Sequence, residues 1–230
     1  LDDMLQALLG WADDARDIGV RANADTLDEA QVALTFAAEG IGLCRTEHMF
    51  FEEDRLTVMR EMIFAAPPKG RAAAEFNPMR GLRGGRLGVT LPEIYDAQAR
   101  AMFLATVQSV SDGNPVTPEI MIPLVSARRE VELVQGRVEA VAAEVRTKTG
   151  VDFDYRLGVM VETPRAALRA GDIAEHAAVL SFGTNDLTQM TYGLSRDDAG
   201  RFMTEYVHQG VYLEDPFHRL DIDGVGEFLK

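Results

Sequence analysis

Short apolar stretches alternate with helical segments along this 230-residue chain, and this alternation restricts its possible folds more than any other feature. Strands that alternate with helices pair in parallel, because each helix returns the chain to the same end of the sheet. Strands that are apolar along nearly their whole length have both faces covered. The predicted strands comprise residues 19–24, 41–44, 119–125, 156–161 and 179–182. The sequence therefore predicts an α/β fold with parallel strands.

The tight links between these elements are typical of a (β/α)8 barrel of the TIM type, whose active site lies at the carboxyl ends of its strands. A closed barrel has eight strands, and the sequence predicts about five. Residues 65–74 are a link rich in proline, glycine and alanine, at a point where a strand would be expected. We therefore predict an incomplete barrel.

Local signals predict where several helices begin. Thr26 and Glu29 form a capping box, and Thr90 and Glu93 have the same spacing. Thr163 is followed by a proline, which is the usual arrangement at a helix start, and that helix is predicted to continue to about residue 176.

Composition excludes several classes of function. The formal net charge of −14 argues against a nucleic-acid partner, which requires a basic surface. No apolar run approaches the roughly 18 residues needed to cross a bilayer, so no membrane partner is expected. A single cysteine excludes an internal disulfide and fits a reducing compartment. The cytoplasm is the predicted location.

Two acidic residues follow predicted strands. Glu162 comes directly after the fourth strand, and Asp186 follows the fifth. Because the carboxyl ends of parallel strands meet at one edge, both acids are expected there. Proteins usually hold Mg²⁺ with one or two carboxylates, completed by water and substrate oxygens. Each acid could instead only cap the helix that follows it, and spacing alone leaves both interpretations open.

Anion-binding groups are predicted near the same edge. Gly183, Thr184 and Asn185 could direct successive backbone N–H groups, and one side-chain amide, at an anion; an ordinary turn is the alternative. Three arginines could bind carboxylate or phosphate, although each could also form only a surface salt bridge. They are Arg45 at the end of the second strand, Arg83 in a glycine-spaced loop and Arg196.

Four motifs resemble the phosphoenolpyruvate/pyruvate-binding barrel of the pyruvate, phosphate dikinase family. They are Cys-Arg-Thr-Glu-His-Met-Phe-Phe at 44–51, Val-Glu-Thr-Pro-Arg at 161–165, Gly-Thr-Asn-Asp-Leu-Thr-Gln at 183–189 and Ser-Arg-Asp-Asp at 195–198. Phosphoenolpyruvate synthase and enzyme I of the sugar phosphotransferase system share this barrel. The resemblance implies the reaction ATP + pyruvate + phosphate ⇌ AMP + phosphoenolpyruvate + diphosphate, and it places in this barrel the transfer between a phosphohistidine and pyruvate.

The resemblance also implies a role for each candidate residue. Glu162 and Asp186 would bind Mg²⁺, while Arg45 and Arg83 would hold the phosphoryl group and the enolate oxygen. The substrate carboxylate would be bound by Gly183, Thr184 and Asn185, and Arg196 would support the phosphate side. The implied partners are pyruvate or phosphoenolpyruvate, the phosphohistidine domain of a longer enzyme and a second copy in a homodimer.

The chain also departs from the family pattern. Residues 65–76 replace a strand that ends in a binding arginine, which predicts an internal deletion near 65–76. The family's acid/base cysteine and its last barrel strands would lie beyond residue 230. We therefore expect a single partial domain over 1–230, truncated after 230, with no retained catalytic acid or base and no net turnover by itself.

Three alternatives to a dikinase barrel remain open. The first is a barrel like that of phosphoenolpyruvate synthase or enzyme I. The second is a Mg²⁺-dependent lyase acting on a pyruvate enolate, and the third is a non-catalytic remnant that only dimerises.

Overall fold

The computed structural model describes residues 3–46, 48 and 84–230. The chain divides into two compact units, Leu1–Gly70 and Arg71–Lys230, and each is described by itself. The prediction of a single barrel domain that includes both units stays a prediction. The predicted deletion near residues 65–76 lies outside the described residues.

In its described part, residues 3–46 and 48, the N-terminal unit contains two α-helices and two short parallel strands. In chain order these are α1 (Asp3–Ala15), β1 (Arg21–Asn23), α2 (Leu27–Thr35) and β2 (Gly40–Leu43). The predicted capping box is confirmed, because the Glu29 backbone N–H donates to the Thr26 hydroxyl oxygen and the Glu29 carboxylate accepts from the Thr26 N–H, both at 3.2 Å. These two bonds cap the start of α2, and the cap residue Thr26 lies three residues after the end of β1.

From residue 84 onward, the C-terminal unit alternates helices with three strands. Its elements are α3 (Gly85–Thr90), α4 (Pro92–Ser111), β3 (Glu119–Ile122), α5 (Arg128–Thr149), β4 (Arg156–Val161), α6 (Pro164–Leu168), α7 (Ala170–Ala174), β5 (Val179–Phe182), α8 (Thr184–Tyr192), α9 (Arg196–Ala199), α10 (Met203–His208) and a 3₁₀ helix (Val225–Leu229). None of the described helices combines the length and apolar composition that crossing a bilayer requires.

The three strands form one parallel sheet in the order β3-β4-β5. Ile122 pairs with Val159, and Val161 pairs with Phe182, so the strands end near one another at one edge of the sheet. The predicted parallel α/β class and all five predicted strands are confirmed. Within the described residues, however, these strands form sheets of two and three strands and no closed barrel.

The core of the C-terminal unit lies between the sheet and helices α4 and α5. Valines at helical spacing on α5 are buried against it, among them Val131, Val134, Val138 and Val141. Phe103 of α4 is fully buried, and its ring centroid lies 5.0 Å from that of Phe153 and 4.9 Å from that of Tyr155. These two aromatic residues lead into β4, so the core fixes the strand that Glu162 follows.

A hydrogen-bonded carboxylate joins α8 to the 3₁₀ helix near the C-terminus. The Tyr192 hydroxyl donates to Asp221 Oδ2 at 2.9 Å, and the backbone amides of Gly224 and Val225 donate to the same carboxylate. Burial alone would raise the pKa of Asp221, but these hydrogen bonds outweigh it and lower that pKa. Burial and the bond to Asp221 raise the pKa of Tyr192 to about 12, so this hydroxyl stays a donor at neutral pH.

Replacing Tyr192 by phenylalanine should lower the free energy of unfolding by about 1–2 kcal/mol at pH 7, because a hydrogen bond to a charged group is lost. A carboxyl with a lowered folded-state pKa contributes stability above its unfolded value of 3.8, and loses it as the pH falls through the folded value. The difference between wild type and variant should therefore shrink in acid. Urea unfolding at several pH values measures it, with Tyr206→Phe, an exposed tyrosine nearby, as the control. A difference independent of pH would contradict this assignment.

Candidate metal and anion site

Glu162 follows β4 directly, and its side chain is buried with 8% of its surface exposed. Its Oε1 accepts a hydrogen bond of 2.7 Å from the backbone N–H of Leu124, which lies two residues beyond the end of β3. A buried carboxylate requires such a donor, since desolvating it without one is costly. The neighbouring strand therefore fixes one oxygen of Glu162.

Gly183 lies on the other side of the Glu162 side chain. It follows β5, and its backbone N–H donates to the Val161 carbonyl oxygen at 3.0 Å, which extends the strand pairing by one bond. A Cβ atom at Gly183 would lie 2.6 Å from Glu162 Oε2 and 2.8 Å from Glu162 Cβ, closer than real Cβ atoms approach other groups. Only glycine leaves room for the Glu162 carboxylate at this position.

Helix α8 begins immediately after Gly183. Thr184 and Asn185 are exposed in its first turn, and Asp186 is half-buried. These residues therefore form a helix start and not an ordinary turn. The first N–H groups of a helix have no partner within it and can be offered to an anion. Thr184, Asn185 and Asp186 thus form the first turn of α8, and Gly183, which contacts Glu162, is its N-cap residue.

Gln189, one turn further along α8, joins two of the predicted residues and was not predicted itself. Its Nε2 lies 3.4 Å from Asp186 Oδ1, and its Oε1 accepts from the Arg196 backbone N–H at 3.0 Å. The sequence offered one signal for this contact: Gln189 lies three residues after Asp186, and residues at that spacing share a helix face. Arg196 begins α9, and its side chain is exposed.

Arg45 belongs to the N-terminal unit, where it is paired with Asp25. The Arg45 backbone N–H donates to Asp25 Oδ1 at 2.6 Å, and its Nη1 lies 3.5 Å from Asp25 Oδ2. His48 Nδ1 lies 2.9 Å from the same oxygen. The Arg45 amide, with the charges of His48 and Arg45, lowers the pKa of Asp25 although burial opposes this. Asp25 was not predicted, although it follows the strand predicted at 19–24 as closely as Glu162 follows its own strand.

Two predictions about the arginines stay predictions. Arg83 lies outside the described residues, while its neighbour Arg86 is exposed on α3. Arg45 belongs to one unit, and Glu162 and Asp186 belong to the other. The prediction that all three lie on one face therefore stays a prediction.

The donor atoms near Glu162 suit Mg²⁺ by type. Within the described residues no group of three or more histidine, cysteine, aspartate or glutamate side chains could hold a metal ion. Mg²⁺, however, is commonly held by one or two carboxylates with waters and substrate oxygens completing the shell. Glu162 and Asp186 supply two hard oxygen donors, and Gly183 places no side chain of its own against the Glu162 carboxylate. By the chemistry of their donor atoms, these residues fit the ion.

Comparison with known proteins gives the family match. A family model described as "PEP-utilising enzyme, PEP-binding domain" matches residues 2–67 and 64–230. Pyruvate, phosphate dikinase of Rhizobium meliloti (strain 1021) is 43% identical over 290 residues, covering 97% of this chain and 32% of that protein.

Two further relatives give the same result. The pyruvate, phosphate dikinase of Clostridium symbiosum is 39% identical, covering 98% of this chain and 33% of that protein. That of Giardia intestinalis is 38% identical, covering 100% of this chain and 34% of that protein. The chain therefore spans about a third of the length of these curated relatives.

Proposed function

This chain belongs to the family of the PEP-utilising enzymes through their PEP-binding domain, and we propose that it binds the pyruvate or phosphoenolpyruvate of a dikinase-type reaction. The proposed step is phosphoryl transfer between a phosphohistidine on another domain and pyruvate. It is one half of the reaction ATP + pyruvate + phosphate ⇌ AMP + phosphoenolpyruvate + diphosphate. The observation that carries the proposal is the buried Glu162 carboxylate, held at a strand end beside Gly183 and the start of the helix that contains Asp186.

The proposed fold is a (β/α)8 barrel that lacks part of its length. The alignment with the Rhizobium meliloti dikinase runs over 290 residues, whereas this chain has 230. The family model matches in two segments that meet at residues 64–67, close to the predicted deletion. Because the alignment covers 97% of this chain, about 67 of its positions have no residue here, which corresponds to roughly two βα units of a barrel of about 250 residues. These observations support an internal deletion near residues 65–76.

In the proposed mechanism, Glu162 and Asp186 would hold Mg²⁺, which when bound stabilises negative charge on the pyruvate enolate oxygen. The N–H groups at the start of α8, from Thr184 and Asn185, bind and orient the substrate carboxylate. Gly183 keeps this approach open, because any larger residue would collide with Glu162. Preorganised donors of this kind stabilise developing charge without reorganising during the reaction.

The arginines are assigned to the phosphoryl group. Arg45 and Arg83 would bind its oxygens, since guanidinium groups pair with phosphate through two parallel hydrogen bonds. Asp25 fixes the backbone of Arg45 and lies near its guanidinium, so it would hold Arg45 ready for this role. Arg196 would support the phosphate side. The homodimer and the cytoplasmic location stay predictions.

Calorimetric titration of the chain with oxalate, a planar mimic of the pyruvate enolate, tests the proposal. We expect saturable binding of one oxalate per chain in the presence of Mg²⁺ and none in EDTA. A chain shown to be folded by circular dichroism that gives no Mg²⁺-dependent heat would contradict it. Conversion of oxaloacetate by the chain with Mg²⁺ but without ATP would instead favour the lyase alternative.

A further inference from the structure

Gly84 and Gly85, which directly follow Arg83 in the glycine-spaced loop, lie against the residues that follow β3. The Gly85 backbone N–H donates to the Pro123 carbonyl oxygen at 2.7 Å, and Gly85 is buried. Gly84 has a φ of 60° and a ψ of −141°, a conformation that only glycine adopts readily. A Cβ atom at Gly84 would lie 2.7 Å from Leu124 Cβ and 2.8 Å from the Pro123 carbonyl oxygen. The backbone of Gly84 therefore packs directly on residues 123 and 124.

Leu124 is itself in an unusual conformation. Its φ is 50°, a left-handed value that a leucine holds only where its surroundings impose it. In this conformation its backbone N–H donates to Glu162 Oε1. A further bond fixes the next residue, since the buried Thr163 hydroxyl donates to the Val125 carbonyl oxygen at 3.0 Å. The segment after β3 is thus held from both sides where it contacts Glu162.

We propose that Gly84 is a positioning residue for Glu162. Its contact with residues 123 and 124 holds the Leu124 N–H at the Glu162 carboxylate, which is confined on its other side by Gly183. The glycine-spaced loop then has a second role besides presenting arginines: it orients a metal-binding carboxylate through the backbone of a neighbouring strand end. This inference rests on the proposed function, because it requires Glu162 to bind the cation.

The variant Gly84→Ala, with Gly113→Ala as its control, tests the positioning role. Gly113 also has a positive φ, of 80°, but an added Cβ there meets nothing within 4 Å. We expect Gly84→Ala to weaken Mg²⁺-dependent oxalate binding by about 10- to 100-fold, the usual effect of losing a group that orients a metal ligand. The Leu124 amide resonance of the ligand-free chain should shift upfield in the same variant, because its hydrogen bond lengthens. Gly113→Ala should change neither quantity.

A second variant relieves the main clash that Gly84→Ala creates. In the double variant Gly84→Ala/Leu124→Gly the Leu124 Cβ is gone and the amide donor remains, at a positive φ that glycine adopts readily. The double variant should therefore fold more readily than Gly84→Ala and regain part of its lost oxalate affinity. Unchanged oxalate affinity in every folded variant, with wild type binding normally, would overturn the positioning role alone. Absence of Mg²⁺-dependent oxalate binding by wild type would overturn the proposed function, a result distinguishable from the first.

Discussion

Replacing Glu162 by glutamine is expected to weaken Mg²⁺-dependent oxalate binding by at least about 100-fold, the upper end of the loss seen when only a supporting group is removed. Glutamine has nearly the same shape, and its carbonyl oxygen can still accept the Leu124 N–H, so the fold should be retained. What is lost is the charge and one hard oxygen donor for the cation. Calorimetric titration with oxalate measures the change.

The matched control for this variant is Glu119→Gln. Glu119 begins β3, at the opposite end of the same sheet, and its Oε1 lies 3.5 Å from Arg156 Nη1 on the surface. The same change of charge at this end should leave oxalate affinity within about twofold, because exposed charges a Debye length or more away are largely screened. Equal losses in the two variants would mean that oxalate responds to net charge and not to a site at Glu162.

Replacing Phe103 by alanine should lower the free energy of unfolding by about 3–5 kcal/mol, the range for truncating a buried phenylalanine. Phe103 has no exposed surface, and its ring packs on those of Phe153 and Tyr155. Removing it leaves a cavity between α4 and the segment that leads into β4. Since domain stabilities are commonly 5–15 kcal/mol, this loss is large enough to unfold a substantial fraction of the chain on mild heating.

Leu104→Ala is the control for Phe103→Ala. Leu104 is the next residue of α4, and 47% of its surface is exposed. Its truncation should cost less than about 1 kcal/mol, because little apolar area returns to water and no cavity forms. Chemical unfolding of both variants gives the comparison. Similar losses at the two positions would show that the core does not lie where the structure places it.

The parts of the fold that follow from local signals could be predicted from the sequence. All five strands of the described residues were predicted, and four of them are largely apolar runs bounded by polar or glycine residues; β1, Arg21–Asn23, is the exception. The capping box at Thr26 and the cap at Thr163, whose hydroxyl accepts from the Ala166 N–H at 3.1 Å, are likewise confirmed. The two caps join residues three positions apart, so they could be predicted without knowing the tertiary packing.

Two details of the predicted helices differ from the structure, because the same local signals have other uses. The helix predicted to start near residues 90–93 is confirmed as α4, but Thr90 does not cap it: Thr90 ends α3, and its hydroxyl donates to the Arg86 carbonyl oxygen at 2.9 Å. Helix α4 begins at Pro92, where a missing N–H costs nothing. The single helix predicted from 164 to about 176 is two helices, α6 and α7, interrupted at Arg169 with a φ of −118°.

The position of Glu162 at a strand end could be predicted, but its surroundings could not. The hydrogen bond from Leu124 depends on the pairing of β3 with β4 and on a positive φ that leucine rarely adopts. The contact with Gly183 likewise depends on the register of β4 and β5. These contacts join residues 38 and 21 positions apart in the sequence, and no local pattern encodes them.

The most direct test of the account is a crystal structure of the chain with Mn²⁺, in place of Mg²⁺, and oxalate, with the ion located by its anomalous scattering. We predict one Mn²⁺ bound by carboxylate oxygens of both Glu162 and Asp186, with oxalate completing its ligands beside the start of α8. A Mn²⁺ ion bound elsewhere, or bound by only one of these two carboxylates, would contradict the claim that they form a single cation site.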